Sequence, residues 1–471
     1  MGHPGHPWGT LAPRPRGLPR LASLRIAVAS TRTDHRARLS RRALLVCLAA
    51  ALLLPAAPAA GARYVPGELI VHYRDGTSAA DQIAVETSTG TRAVGPLAGG
   101  SKQLVIEDGG SVAATVDELR GDPRVDYAVA NYRARASAFT PNDPGFPLQW
   151  NFWGPYGIDV PKAWSLASRR GAPGGRGAVV AVLDTGVAYR STRGFKRAPD
   201  LRSFVRGYDF VDNDRYPFDL NGHGTHVAGT IGEATNNGIA VAGIAYRARI
   251  MPVRTLDVHG AGDTVTISKG IRYAVRHHAD VINLSLEFAP FVQAADVPDL
   301  LAALRLAHRR GVVVTAVAGN EGSMSLPYPA RAPGVIAVAA TTEAGCAADY
   351  SNAGPQVDVA APGGGDDAVP ADNPWDLAHC HPGVVGRPIF QQTFDAAFNV
   401  FGLPSGYYGT SMAAPHVAGL AALVVASKRL GRSPGPDAVA RLIERTSRDA
   451  GSPGYDTRYG HGLIDAAAAL R

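Results

Sequence analysis

Between Gln149 and Leu470, short runs of consecutive apolar residues alternate with stretches of helical spacing. Ala178 to Leu183, Arg249 to Val253, Val281 to Leu284, Val312 to Val317 and Val335 to Ala339 predict strands, on their length and β-branched content. His226 to Ala234, Thr264 to His277, Asp299 to His308 and Ala413 to Lys428 predict helices. Continuously apolar strands spaced by helices imply an α/β fold, with a mostly parallel central sheet and helices on both faces. In such sheets the active groups gather at the C-terminal ends of the strands. No internal repeat interrupts this order.

The chain before Gln149 has another character. Glu68 to Tyr73 alternates as a strand does, Ala79 to Glu86 is a short helix, and Lys102 to Ile106 is a second strand. Val112 to Leu119 has helical spacing, and Val125 to Ala130 is a third strand. This order predicts a small α+β, ferredoxin-like unit with one strand unassigned. Arg133 to Phe146 lacks periodicity and carries Pro141, Pro144 and Gly145, so it reads as an exposed linker open to proteolysis. Upstream, a basic stretch ends at Ser40-Arg41-Arg42, and Ala43 to Leu54 is a run of 12 apolar residues. That is short of the roughly 20 needed to span a bilayer, but it suits an export signal. Ala57/Ala59 and Ala60/Ala62 offer cleavage sites. Ser-Arg-Arg-x-Leu-Leu resembles a twin-arginine signal, and an ordinary Sec signal is the alternative. The predicted divisions are a leader at 1–62, a small domain at 63–136 and the α/β domain at 137–471.

Charge changes its meaning once it is placed on these divisions. The 471 residues carry a formal net charge of +7, which suggests nucleic acid or an anionic membrane as partner. Residues 1–62, however, hold nine Arg, no Lys and one acid, Asp34. Residues 137–471 hold 30 basic and 29 acidic side chains. The domain that would remain after export is nearly neutral, which removes the nucleic-acid reading and leaves no membrane partner once the signal is gone. Cys47 lies in the leader. Export would place Cys346 and Cys380 in an oxidising compartment, which predicts a disulfide between them, with two free thiols as the alternative.

Four segments carry candidate chemistry. Val179-Val-Ala-Val-Leu-Asp184 puts an acid at the end of a buried strand. Asn221-Gly-His223-Gly-Thr-His places a histidine where a loop opens a helix. Gly409-Thr-Ser411-Met-Ala-Ala-Pro-His places a serine at the start of another helix. Alone, each is an ordinary turn or cap residue; together they suit nucleophilic catalysis. Serine is a weak nucleophile that needs a base, imidazole can take its proton, and a carboxylate orients and charge-balances the imidazole. The fourth segment is a strand ending in Ala318-Gly319-Asn320, whose side-chain amide, with the Ser411 N–H, can donate to an oxyanion.

On these motifs the chain resembles the subtilisin-like serine protease family, nearest its thermitase-like branch. The order Asp184, His223, Ser411 is the family's. The likeness runs from about Gln149 to Leu470, and includes Val281-Ile-Asn-Leu-Ser-Leu and Tyr459-Gly-His-Gly-Leu-Ile-Asp465. Residues 63–136 resemble the family's inhibitory propeptide. The resemblance implies a secreted or periplasmic serine endopeptidase, a monomer made as a self-processing precursor, with polypeptides as substrates and its own propeptide as inhibitor. Processing would fall in Arg133 to Pro141. It implies that Gly260, Ala261 and Gly262 face Ser285, Leu286 and Glu287 across the substrate backbone as edge strands, with Ala318 and Gly319 beside them. Glu287-Phe288 departs from the family's Gly-Gly. The Glu287 carboxylate either favours basic side chains in the primary pocket or points to solvent and leaves specificity broad. Calcium is the implied structural cofactor, and no catalytic cofactor is implied. One site would use Gln149, Asp200, Asn237 and the carbonyls of Thr235, Ile239 and Val241; a second would use Asp209, Asp212 and Asp214. Gly363 to Gly406 is an insertion that contains Cys380. The same residues leave two other functions open, a peptide ligase and a catalytically silent binding protein on this fold.

Overall fold

A computed structural model describes residues 64–132, 139–192, 194–368 and 380–471. The predicted leader with its cleavage sites, residues 133–138 of the predicted processing segment and residues 369–379 of the insertion lie outside the described residues. The chain divides into two units, Met1–Arg135 and Ala136–Arg471.

In the first unit, Tyr64–Tyr73 (β1), Ala79–Ser88 (α1), Thr91–Pro96 (β2), Lys102–Ile106 (β3), Val112–Gly121 (α2) and Val125–Tyr132 (β4) follow one another. The sheet runs in the order β2-β3-β1-β4, antiparallel throughout. Ser78 and Ser111 cap the helices by accepting from the Asp81 and Ala114 N–H groups. The strand that escaped the sequence reading is β2. It is an edge strand, its apolar Val94 is exposed, and it ends in Gly95-Pro96, so no buried alternation marks it.

The second unit contains Trp150–Trp153 (α3), Val160–Arg169 (α4), Val179–Asp184 (β5), Tyr208–Asp209 (β6), His223–Gly232 (α5), Arg249–Arg254 (β7), Thr264–Arg276 (α6), Val281–Leu284 (β8), Pro298–Arg309 (α7), Val313–Val317 (β9), Val335–Thr341 (β10), Val359–Pro362 (β11), Thr393–Asp395 (β12), Ala397–Gly402 (β13), Thr410–Ala426 (α8), Pro436–Thr446 (α9) and Ala466–Leu470 (α10). Seven strands form a parallel sheet in the order β11-β10-β9-β8-β5-β7-β6. Alternate residues of β5 serve opposite faces. Val180 and Val182 pack with Val417, Leu420 and Leu423 of α8, while Ala181 and Leu183 pack with Ile267 and Ile271 of α6 and Leu300 and Leu304 of α7. Burial on both faces is why these strands read as unbroken apolar runs.

One expectation changes. The predicted exposed linker is, from Phe139 onward, docked on the second unit. Phe139 meets Trp164 edge-on, Phe146 is buried, and Asp143 accepts from the N–H groups of Asn236, Asn237 and Gly238. The carboxylate satisfies three turn amides, so the segment needs no periodicity to be held. The expected Cys346–Cys380 disulfide is formed, and within the insertion β12 and β13 form a hairpin. Among the described residues no helix is long and apolar enough to cross a membrane.

Candidate active site

Asp184 is the last residue of β5 and is fully buried. His223 opens α5, and its Nδ1 lies 2.7 Å from Asp184 Oδ1. That contact places the proton on Nδ1 and leaves Nε2 as the basic nitrogen. The close approach depends on Gly224: a Cβ there would lie 2.1 Å from the Gly186 carbonyl oxygen. The loop before α5 is organised by Asp219, which is buried and accepts from the hydroxyls of Thr185 and Thr225 and the N–H groups of Asn221, Gly222 and Thr225. Burial raises the Asp219 pKa against the pull of these bonds. For His223, burial lowers the pKa, but the Asp184 charge and hydrogen bond outweigh it, and the net shift is upward.

Ser411 is the second residue of α8, whose first turn is held by an unusual substitution of partners. Pro415 has no N–H, so the Ser411 carbonyl lacks its helical donor. The Ser285 hydroxyl takes that place at 2.8 Å. Asn283 Nδ2 donates to Ser285 Oγ, and Thr315 Oγ1 donates to Asn283 Oδ1. A buried chain of side chains thus runs from β9 through β8 to the turn that carries Ser411. One turn on, His416 pairs Nδ1 with the Met412 carbonyl and Nε2 with Asn151 Nδ2. Burial lowers His416 to about 4, so it stays neutral as a structural group.

Asn320 follows β9 and turns its Oδ1 to Thr410, which donates from both its N–H (2.8 Å) and its hydroxyl (2.9 Å). The amide Nδ2 is thereby left as a donor. Gly409 precedes Thr410 at φ +145°, a backbone conformation that residues with a Cβ rarely adopt. His223 and Ser411 line one cleft of about 460 Å³. Ser411 Oγ reaches the Ser285 carbonyl at 3.5 Å, rather than His223. The arrangement offers a nucleophile, a base oriented by a buried acid, and donors beside the nucleophile, which is the equipment for acyl transfer.

Residues 175–462 match the model of the subtilase family, and residues 53–131 match the fervidolysin N-terminal prodomain. This chain belongs to the subtilase family. It is 35% identical over 399 residues to the thermophilic serine proteinase of Bacillus sp. (strain AK1), covering 84% of this chain and 86% of that one. It is 36% identical over 334 residues to thermitase of Thermoactinomyces vulgaris, covering 71% of this chain and all of thermitase. A solved structure titled as proteases from Pseudoalteromonas arctica PAMC 21717 superposes with a TM-score of 0.56 at 32% identity, covering 70% of this chain and 99% of that one. The subtilase is a serine endopeptidase with an N-terminal prodomain.

Of the substrate-contact residues expected from sequence, Gly260, Ala261, Gly262, Ser285, Leu286 and Glu287 all line the cleft with His223 and Ser411. Neither segment forms a strand in the structure. Gly260–Gly262 belongs to a turn closed by Asp257, and Ser285 lies just past β8. Ala318 is fully buried, with its N–H on the Val338 carbonyl, so it braces the wall without forming it. Gly319 has a left-handed φ of +105°, and the carboxyls of Glu287 and Glu321 close around its Cα.

The first expected calcium set assembles in part. Asp200 is fully buried, with Oδ2 unpartnered, and Asn237 turns its amide nitrogen to Asp200 Oδ1 at 2.6 Å. Gln149 pairs both ways with the backbone of Ala242, which leaves its oxygen one lone pair. Thr235 bridges Glu233 and Gly243 through its hydroxyl, and Ile239 and Val241 continue the same loop. Burial pushes Asp200 up to about 7 despite the Asn237 bond, and the nearby Asp143 adds to the rise. Glu233, also fully buried, has an unpartnered Oε2 and is raised by burial and by Asp200. The second expected set differs in kind. Arg254 Nη1 pairs with Asp209 (2.8 Å) and Asp212 (2.5 Å), so a guanidinium supplies the cation that crowding of acids seemed to require. Asp214 turns its carboxylate to the Tyr216 N–H.

Sequence reasoning missed Asp219, Asp143, Glu233, Arg254 and the Glu321–Asn352 pair. Asp219 left a faint signal, an acid two residues before Asn221-Gly, which is an Asx-turn pattern. Arg254 left none, because its partners are 42 and 45 residues away.

Proposed function

We propose that Asp184, His223 and Ser411 act as the triad of this subtilase and that Asn320 and the Ser411 N–H hold the oxyanion. The bond between His223 Nδ1 and buried Asp184, across a cleft shared with Ser411, carries the reading. His223 Nε2 takes the Ser411 hydroxyl proton as Oγ attacks the scissile carbonyl carbon. The carbonyl oxygen becomes the anion received by Asn320 Nδ2 and the N-terminus of α8. The imidazolium, stabilised by Asp184, returns the proton to the leaving amine, and water repeats the sequence on the acyl-enzyme.

The enzyme is made as an exported precursor, with residues 63–136 as the inhibitory propeptide and 137–471 as the peptidase, which works as a monomer. The basic and apolar leader and the Cys346–Cys380 bond support export. Calcium suits Asp200 and the carbonyls of the 235–241 loop. Oxygen donors and two buried carboxyls without a counter-charge fit a hard cation, which would supply structural charge balance and no catalytic step. Arg254 pairs with Asp209 and Asp212 and, among the described residues, leaves Asp214 alone without a cation, so the Asp209 loop has less need of calcium than the Asp200 loop. The test is to express the full chain and Ser411→Ala and to sequence the N-termini of the products. Self-processing in the parent alone supports the nucleophile and the propeptide together; processing of both rejects the assignment of Ser411.

A further inference from the structure

Glu287 does not point to solvent. It lines the cleft beside Ser411, its Oε2 is buried without a hydrogen-bond partner, and burial, with the neighbouring Glu321 charge, raises its pKa. Both carboxyls crowd Gly319: a Cβ on that glycine would lie 2.7 Å from Glu287 Oε2 and 2.9 Å from Glu321 Oε2. Their position is built. Asn352, only 1% exposed, donates from Nδ2 to Glu321 Oε2 at 2.6 Å and accepts from the Glu321 and Ser323 N–H groups. Among the described residues no Lys, Arg or His forms a salt bridge with either glutamate. Glu287 is half-buried and Glu321 exposed, and two carboxyls this close with no cation between them repel, which a ligand cation would relieve.

We infer that Glu287 and Glu321 together select substrates with an Arg or Lys side chain on the N-terminal side of the scissile bond, its cation seated between the two carboxyls. This deepens the proposed function and rests on it. Leu286, Phe288 and Val317 line the same cleft and offer apolar surface to the stem of a long basic side chain. The distance from the nucleophile is set by sequence: Glu287 is two residues past Ser285, whose hydroxyl holds the Ser411 carbonyl, and Glu321 follows Asn320 directly. A side chain on the acyl half of the substrate, entering beside Ser411, therefore meets Glu287 on the cleft wall, with Glu321 next to it at Gly319. A guanidinium can use the two carboxyls at once, while an ammonium places one charge between them.

The test compares peptides that differ only in Arg, Lys, Leu or Phe at that position, on the mature enzyme and on Glu287→Gln and Glu321→Gln. The parent is expected to prefer Arg and Lys. Each variant is expected to lower the Arg-to-Leu ratio of kcat/KM by about 10-fold or more, the scale of losing one partner of a desolvated charge pair. Glu287→Lys should reverse the order and admit Glu-containing peptides. A parent that prefers Leu and Phe, or variants that lower all four substrates equally, would overturn the inference and assign the pair to holding the 319–323 turn. Loss of all hydrolysis in the parent would instead reject the proposed function, so the two failures are distinct.

Discussion

In the proposed mechanism, Asn320 is the residue on which the chemistry is most exposed to a single change. Its oxygen is committed to Thr410, so its amide is held ready before substrate arrives. Asn320→Leu removes that donor, and kcat is expected to fall by about 100- to 1,000-fold, a magnitude that comes from subtilisin itself. KM should change much less, which initial-rate kinetics will separate from a binding defect. As the proposed base, His223 would govern the pH profile. It must be neutral to act as base, and its pKa is raised, so kcat/KM is expected to climb with pH with its midpoint above the ordinary imidazole value of 6.5. A midpoint below that value would contradict the role given to Asp184. The stability effect has the opposite sign: the His–Asp pairing contributes fully below the unfolded pKa and is lost as pH rises through the folded one. The site residues were legible because each stands at a strand end or helix start within a glycine-flanked motif. Glu321 and Asn352 were not legible, since their roles come from a contact between residues 31 apart.

At the level of elements, α8 and the strands behind it share one responsibility. Pro415 removes a helical donor at the Ser411 carbonyl, and β8 returns one through Ser285. Ser285→Ala leaves that carbonyl unsatisfied in a mostly buried place. The expected cost is about 1–3 kcal/mol of stability, read from denaturant unfolding, with reduced activity as the first turn loosens. Unchanged stability would mean that the turn is held by the rest of α8 alone. The central strands were legible at nearly their true limits because burial on both faces writes them as apolar runs. Short elements were not: β11 has four residues ending in proline, and β12–β13 turns on Ala396 and Asn399 at positive φ, so neither shows a period. Helix α9, with buried Val439, Leu442 and Ile443, did carry helical spacing, but it lies beyond the motifs that drew attention.

Across the whole molecule, stability rests on charge balance and covalent closure as well as on the core. If calcium occupies the Asp200 loop, a chelator should lower Tm, and a neutral Asp200→Asn variant should respond much less. An unchanged Tm in the parent would remove calcium from the account. The Cys346–Cys380 bond closes 34 residues, for which a chain-entropy model gives about 3–4 kcal/mol. Reduction should therefore lower the unfolding midpoint, and equal midpoints for the oxidised and reduced enzyme would show that the loop is held without it. The chain divides at Arg135/Ala136, and the sequence expectation places its boundary at 136/137, where periodicity is lost. The docking of Phe139 to Phe146 was not legible, since it depends on one carboxylate meeting three amides nearly a hundred residues away.

The 363–406 segment is tied by its polar groups to the helix that carries His223. The Ile389 carbonyl accepts from His226, the Gln392 N–H donates to Glu233, and the Thr393 hydroxyl donates to the Gly222 carbonyl, so three of its residues are wired along the helix that begins at His223. Ile389 and Thr393 are fully buried there. To an engineer seeking a smaller protease, this segment is consequently not trimmable ornament. Cutting it back to a short connection would strand polar atoms beside the proposed base, and any shortened design has to keep 389–393 even if it discards the rest.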